Sequence, residues 1–363
     1  MRYIECPNFK IRVGQLSLLF FVGLFMFGCG QSSEKFIAKG EEYLKKRKFY
    51  DAMMQFRSAA EYDKDSAKAH WGLARSYENL GRFNDTLDEL RRTVELDPKH
   101  LDAKARLGNY FLLVEPPLID ESEKTQQEII AIDPNFIEGH VLKASILAAQ
   151  NRPEAEVVAK MNEAIAIDPK RTETYLSLSR YYVSREMARE AEDAIKKGIE
   201  VNPGSAVGLI EYGRFLTYAA RDPEAEVQFR NAIAAEPANI EAHEAIADFY
   251  VSTRQYDKAE IAYKELVSIQ ENSPESRLDL AEFYVVTDRT DAAEATLLQI
   301  IKESPDYTRA RYRLGQIYLD SKDPAKVSEQ VDALLKINNN DVEALMLRAR
   351  VRMLDNQPND AIK

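Results

Sequence analysis

One spacing constrains this chain more than any other feature. A small residue recurs as Gly40, Ala74, Gly108, Ser145, Ser179, Gly213, Ala247, Ala281, Gly315 and Ala349, and every step is 34 residues except that from Gly108 to Ser145, which is 37. Three residues further on stand Tyr43, Tyr77, Phe111, Tyr182, Tyr250, Tyr284 and Tyr318. Twelve past the small position runs a second series: Ala52, Thr86, Val157, Ala191, Ala225, Ala259, Ala293, Val327 and Ala361, broken only in the third segment. Phe56, Leu90, Met161, Ile195, Phe229, Tyr263, Leu297 and Val331 follow it by four. Within each half the apolar spacing is three and four, the period of a helix rather than a strand. Each unit is therefore predicted to be two short helices. Small residues let their backbones approach, and the aromatic one turn on fills the groove beside them. One such hairpin cannot bury its apolar face alone, so neighbours must cover it.

The prolines test this independently. Pro98, Pro134, Pro169, Pro203, Pro237, Pro274 and Pro305 fall between units, and Pro153, Pro223, Pro324 and Pro358 between the two helices of one unit. Pro116 and Pro117 lie in the irregular third segment and Pro7 near the start, so none of the 14 interrupts a predicted helix. In Arg221-Asp222-Pro223 and Lys322-Asp323-Pro324 the aspartate is expected to cap the helix, with proline in its first position.

This pattern resembles the tetratricopeptide repeat over residues 33–363. Val207 to Asn239 and Thr308 to Asp341 match best, through Leu209, Tyr212-Gly213, Leu216, Ala225, Phe229, Ala232 and Pro237 in the first and Leu314-Gly315 and Tyr318 in the second. The repeats fall near 33–66, 67–100, 101–137, 138–171, 172–205, 206–239, 240–273, 274–307, 308–341 and an incomplete 342–363. The resemblance implies an all-α, right-handed superhelical solenoid of about ten helix-turn-helix repeats. Repeat three departs most, because Glu115-Pro116-Pro117 lengthens its turn. The last repeat breaks off two residues after Ala361, and the expectation is that the chain is part of a longer protein.

In that family, ligand contacts come from first-helix positions two, five, nine, twelve and thirteen. Carried over, the resemblance implies a partner-binding face of Trp71, Arg75, Asn79, Asn109 and Leu112, continuing through Leu142, Ile146, Leu176, Arg180, Ile210, Arg214, Tyr218 and Tyr312. Leu113, Val183, Leu278, Val285, Val286 and Gln316 extend it. An apolar face dotted with arginine suits an extended peptide or a helix, with arginine holding carboxylates. Packing between adjacent helices, or a register one residue out, would account for the apolar members equally well. The lysine–asparagine clamp of some co-chaperones is missing, since Ile37 and Glu41 occupy its places in the first repeat.

Ahead of the repeats, Arg2, Lys10 and Arg12 precede a short apolar stretch, 13–28, which reads as a secretory signal. Gly28-Cys29 resembles the end of the lipobox of bacterial lipoproteins, though Met26 and Phe27 depart from the usual residues. The resemblance implies cleavage before Cys29, a lipid thioether on its sulfur, and 29–32 as a short linker. An uncleaved signal anchor with Cys29 as an ordinary thiol is the alternative. In lipoproteins of Gram-negative bacteria, which this segment resembles, a glycine such as Gly30 after the cysteine, in place of aspartate, implies the periplasmic face of the outer membrane. The basic run Lys45-Lys46-Arg47-Lys48 is either a solvated turn or a contact with anionic headgroups.

Composition narrows the function by exclusion. With 30% charged and 45% hydrophobic residues the chain is neither disordered nor a bundle of membrane spans. A formal charge of −11 argues against a nucleic-acid partner. Two cysteines and four histidines supply no metal framework, and no phosphate loop, zinc-protease or nucleophile-elbow motif occurs. His70 and His243 stand at equivalent repeat places, the pattern of a partly buried structural position. No cofactor, metal, small-molecule substrate or catalytic centre is predicted. The expectation is a lipid-anchored, non-catalytic scaffold of the cell envelope that binds protein or peptide partners. Its opening Lys39-Gly40-Glu41-Glu42-Tyr43-Leu44 and long array look most like the repeat lipoproteins of exosortase (PEP-CTERM) sorting and exopolysaccharide systems. A structural spacer, an oligomerisation module, or an accessory region of a longer enzyme are the rival readings.

Overall fold

The computed structural model describes residues 30–354. The signal segment, Cys29 and the second helix expected near Ala361 lie outside the described residues. Among those described, nineteen helices form and no strand does.

The chain divides into two compact units, Met1–Ala103 and Lys104–Lys363. The first holds α1 (Gly30–Lys45), α2 (Phe49–Tyr62), α3 (Ala67–Asn79) and α4 (Phe83–Leu96). Next come α5 (Leu101–Leu113), α6 (Ile119–Ile132), α7 (Ile137–Ala149), α8 (Glu154–Ile167), α9 (Thr172–Ser184) and α10 (Ala188–Val201). The pairs continue as α11 (Ala206–Tyr218), α12 (Asp222–Ala235), α13 (Ile240–Ser252), α14 (Tyr256–Ile269), α15 (Pro274–Val286) and α16 (Thr290–Glu303). Last are α17 (Thr308–Asp320), α18 (Pro324–Ile337) and the single helix α19 (Val342–Leu354). Residues 30–32, expected as a linker, are instead the start of α1.

Outside repeats three and four, the described helix pairs are built as the spacing predicts. Phe56 is fully buried, and a Cβ placed on Gly40 or Gly72 would come within 2.7 or 2.2 Å of its ring, so only glycine admits that ring at both places. Between the two helices, the chain turns on one residue with positive φ: Arg47, Gly81, Asn151, Glu186, Ala220, Arg254, Asp288 and Lys322. Seven of those eight are not glycine and carry the strain of the left-handed region. Between repeats, Asp97, Asp133 and Asp168 accept the backbone N–H two residues later at 3.1, 2.9 and 3.1 Å, across the intervening proline. Asp323 caps α18 through the Lys326 N–H, as expected. Asp222 does not cap: α12 starts on it, and Arg221 stands at the cap without a side-chain bond.

The third repeat also closes as a helix pair. Ser122 is buried and donates to the Gly108 carbonyl at 2.9 Å, so it is the small residue that the broken second series lacks, displaced by a five-residue turn, 114–118. The remaining extra residue lies one repeat later. α7 begins at Ile137, and Asn151 is its left-handed residue, fifteenth from the helix start like Gly81, Glu186 and Ala220 in their repeats. The small position of repeat four is therefore Ala144, which is fully buried, and not Ser145.

Candidate functional site

Positions below count from the first residue of each repeat's first helix. In the first unit, the three residues expected on the binding face are held by their own neighbours. The Trp71 ring lies 4.8 Å from His100, and the Arg75 guanidinium sits 5.3 Å over it. Arg75 also pairs with Glu41, and Asn79 donates back to the Arg75 carbonyl at 2.8 Å.

In the second unit the register shift corrects the expected face. Leu142 and Ile146 are completely buried, because counting from Ile137 moves positions five and nine to Val141 and Ser145. Those two, with Ala148 and Ala149, line a recess of about 560 Å³ together with Asn109, Leu112, Leu113 and Arg180. Ile210 is a second correction, a core residue at 1% exposure; Leu176 is also largely buried, at 3%, but reaches the base of the recess beside Arg180. Tyr312 is half-buried against that core. Of the apolar and aromatic residues expected on the face, Leu113, Val183, Tyr218 and Val286 are turned to water, at 67%, 41%, 85% and 64% exposure.

Arg180 joins this recess to a second, of about 190 Å³, shared with Val183, Glu211, Arg214 and Tyr218. Its guanidinium donates to Ser177 Oγ at 3.2 Å and, among the described residues, pairs with no carboxylate. Arg214 is already engaged, with Glu211 at 2.8 Å and Glu241 at 3.1 Å.

Sequence reasoning missed a third recess of about 330 Å³, lined by Glu244, Asp248, Asp279 and Glu282 over Tyr263 and Phe283. The two rings stack at 5.2 Å. Its signal was present, since Glu244, Asp248 and Glu282 occupy positions five, nine and nine. In a chain with 60 Asp and Glu, three acids spread over two repeats do not stand out. Asp248 accepts from Tyr263 Oη at 3.0 Å, and Glu282 accepts from Arg313 at 2.7 Å. Asp279 accepts nothing among the described residues. The Asp279 side chain is exposed at the mouth of the recess, and partial desolvation by the groove walls, reinforced by Glu244, pushes its carboxyl up to about 7, against the pull of Arg309.

The histidines serve the turns. His70, His140 and His243 each direct Nε2 at the carbonyl six residues back, at 3.1, 2.8 and 3.0 Å, and Tyr175 does the same through its hydroxyl at 3.0 Å. All four stand at position four. Among the described residues no group of three or more side chains could hold a metal ion, and no helix is long and apolar enough to cross a membrane.

Residues 37–100, 240–273 and 299–351 match the family described as Tetratricopeptide repeat. Protein O-mannosyl-transferase TMTC3 of Homo sapiens is 21% identical over 181 residues, covering 45% of this chain. The chain spans only 19% of the length of that relative. Among solved structures, it is similar to TTC0263, a thermophilic TPR protein of Thermus thermophilus, with a TM-score of 0.44 and 18% identity over 51% of this chain and 99% of that one. Yeast Tom70 gives a TM-score of 0.45 and 12% identity, covering 92% of this chain and 90% of its own.

Proposed function

We propose, from the premise that this chain carries tetratricopeptide repeats, that it is a non-catalytic scaffold whose second unit docks a segment of a partner protein. The observation that carries this is the run of exposed apolar side chains, Leu113, Val183 and Tyr218, on the walls of two recesses that Arg180 joins. Exposed apolar side chains lining recesses of this kind mark an interaction site, and the concave form suits a helix or an extended strand of chain. Nothing in the reading requires a reaction step, and the transferase named above keeps its activity as its own property.

A photo-reactive amino acid at position 113 or 218 of the full-length protein, in its native cells, tests the reading. Cross-linking to a partner from both positions, lost from either on Arg180→Glu and from position 218 on Leu113→Asp, and absent from the control position Ile261, is the expected result. Equal labelling from Ile261 would refute it.

We further propose that Cys29 carries lipid and holds the scaffold at the cell envelope, on the outer membrane's periplasmic side, within an assembly, export or polysaccharide- or protein-sorting system. The apolar stretch before Cys29 and the Gly28-Cys29 pair support this. Each buried methylene contributes about 0.8 kcal/mol, so two or three acyl chains give a stable anchor. Radioactive palmitate incorporated by the wild-type protein and not by Cys29→Ser is expected; equal labelling, or none in either, would exclude lipid at that sulfur.

A further inference from the structure

This inference deepens the reading of the groove and rests on it. The recesses of the second unit share side chains end to end. Arg180 belongs to the first and second, Arg214 to the second and to a further recess beside Phe249, and Asp248 to that one and to the acidic recess. They are stretches of one groove, and its charge changes sign along the way. Where the first recess meets the second, the exposed Arg180 guanidinium meets only a serine hydroxyl. In the middle, Arg214 is balanced by two glutamates. At the far end Asp279 has no donor, while Asp248 and Glu282 beside it are already engaged. Apolar surface continues throughout: Val286, at the acidic end, is 64% exposed.

We propose that the occupant of this groove is one protein segment with an apolar middle, an acidic residue at one end that pairs with Arg180, and a lysine or arginine at the other that pairs with Asp279. A purely apolar segment would cover both charges and strip their water without replacing it, which is costly for each. A segment acidic throughout meets like charge at Asp248, Asp279 and Glu282, and a basic one meets Arg180. Like-charge juxtaposition of this kind rejects wrong partners and fixes the direction in which the right one lies. The raised carboxyl of Asp279 agrees with this, since the pull of Arg309 does not outweigh desolvation and Glu244, and an arriving cation adds the countercharge that is still wanting.

Three synthetic peptides of twelve residues, blocked at both termini, test it with the full-length protein. All share a leucine–alanine middle; one has glutamates at one end and lysines at the other, one has glutamates at both ends, and one has lysines at both. Fluorescence anisotropy is expected to show the mixed peptide binding about five-fold tighter than either of the others. Asp279→Asn should remove its advantage over the acidic peptide, and Arg180→Gln its advantage over the basic one. A benzophenone at the lysine end should label 240–286, and one at the glutamate end 172–218. Equal affinities for all three, or the same labelled segment from both ends, would overturn the inference while leaving the groove standing. Binding by none of them, or binding indifferent to Leu113→Asp, would overturn the groove reading and this inference with it.

Discussion

Tyr284 donates its hydroxyl to Glu260 at 3.0 Å, tying the first helix of one repeat to the second helix of the repeat before it. Tyr250 and Glu226 do the same at 3.0 Å, and Tyr318 and Glu294 at 2.7 Å. Glu192, one period earlier, takes its phenol from Tyr212 at 2.7 Å. A cation joins each glutamate from the following repeat: Arg221, Lys258, Arg289 and Lys326. A buried tyrosine needs a partner for its hydroxyl, and here that need makes the groove-filling aromatic a tie between neighbours as well.

Acid should loosen these ties. Burial alone would raise the Glu192 carboxyl, but hydrogen bonds from Lys196, Tyr212 and Arg221 outweigh it and hold the group at about 2; Lys264, Tyr284 and Arg289 hold Glu260 at about 2 likewise. A carboxyl with a depressed folded value stabilises the fold above its ordinary value of 4.5, and that contribution fades as pH falls from there towards 2. Urea midpoints at pH 6 and pH 3 are expected to differ more for the wild type than for the Glu192→Gln, Glu260→Gln double variant. An identical drop in both would contradict the assignment.

Strain at the repeat turns offers a stabilising substitution. Ala220 holds φ 56° at the place where Gly81 holds 69° without penalty. Ala220→Gly should raise stability by about 0.5–1 kcal/mol, the relief of left-handed strain less the extra chain entropy of glycine. Denaturant titration measures it, and a loss of stability would show that the turn is not strained.

Core and groove separate under mutation. Leu142→Ala empties a fully buried site and should cost about 2–5 kcal/mol. Leu113→Asp alters a side chain 67% exposed and should change stability by no more than about 0.5 kcal/mol. Thermal unfolding of the two variants checks the revised register directly: the register read from Ser145 would place both residues on the binding face.

Asp279 should titrate close to neutrality. Glu244 on α13, Tyr263 on α14, Glu275 and Glu282 on its own helix and Arg309 on α17 surround it, and only the arginine favours its charge. Carboxyl-carbon NMR should place its midpoint near 7, where an unperturbed aspartate would show 3.8. Because a bound cation favours the ionised form, a lysine-ended peptide should bind more tightly as pH rises from 6 to 8. A midpoint near 4 would remove both expectations.

The repeat, its two helices and the burial of Phe56, Phe229 and Leu297 were legible in the sequence, because each follows from local periodicity and from which side chains water rejects. So were the turns, since proline and the aspartate before it act within a few residues. The register of repeat four was not legible. Inserted residues leave the helical period intact on either side, and only the packing of Ala144 and the turn at Asn151 shows where the additions fall. Nor could the sequence divide the chain into two units, or bring Glu244 and Asp248 of one repeat beside Asp279 and Glu282 of the next. Which carboxylates share a wall depends on how neighbouring hairpins lean together, and that is decided by packing across repeats, which no stretch of local sequence contains.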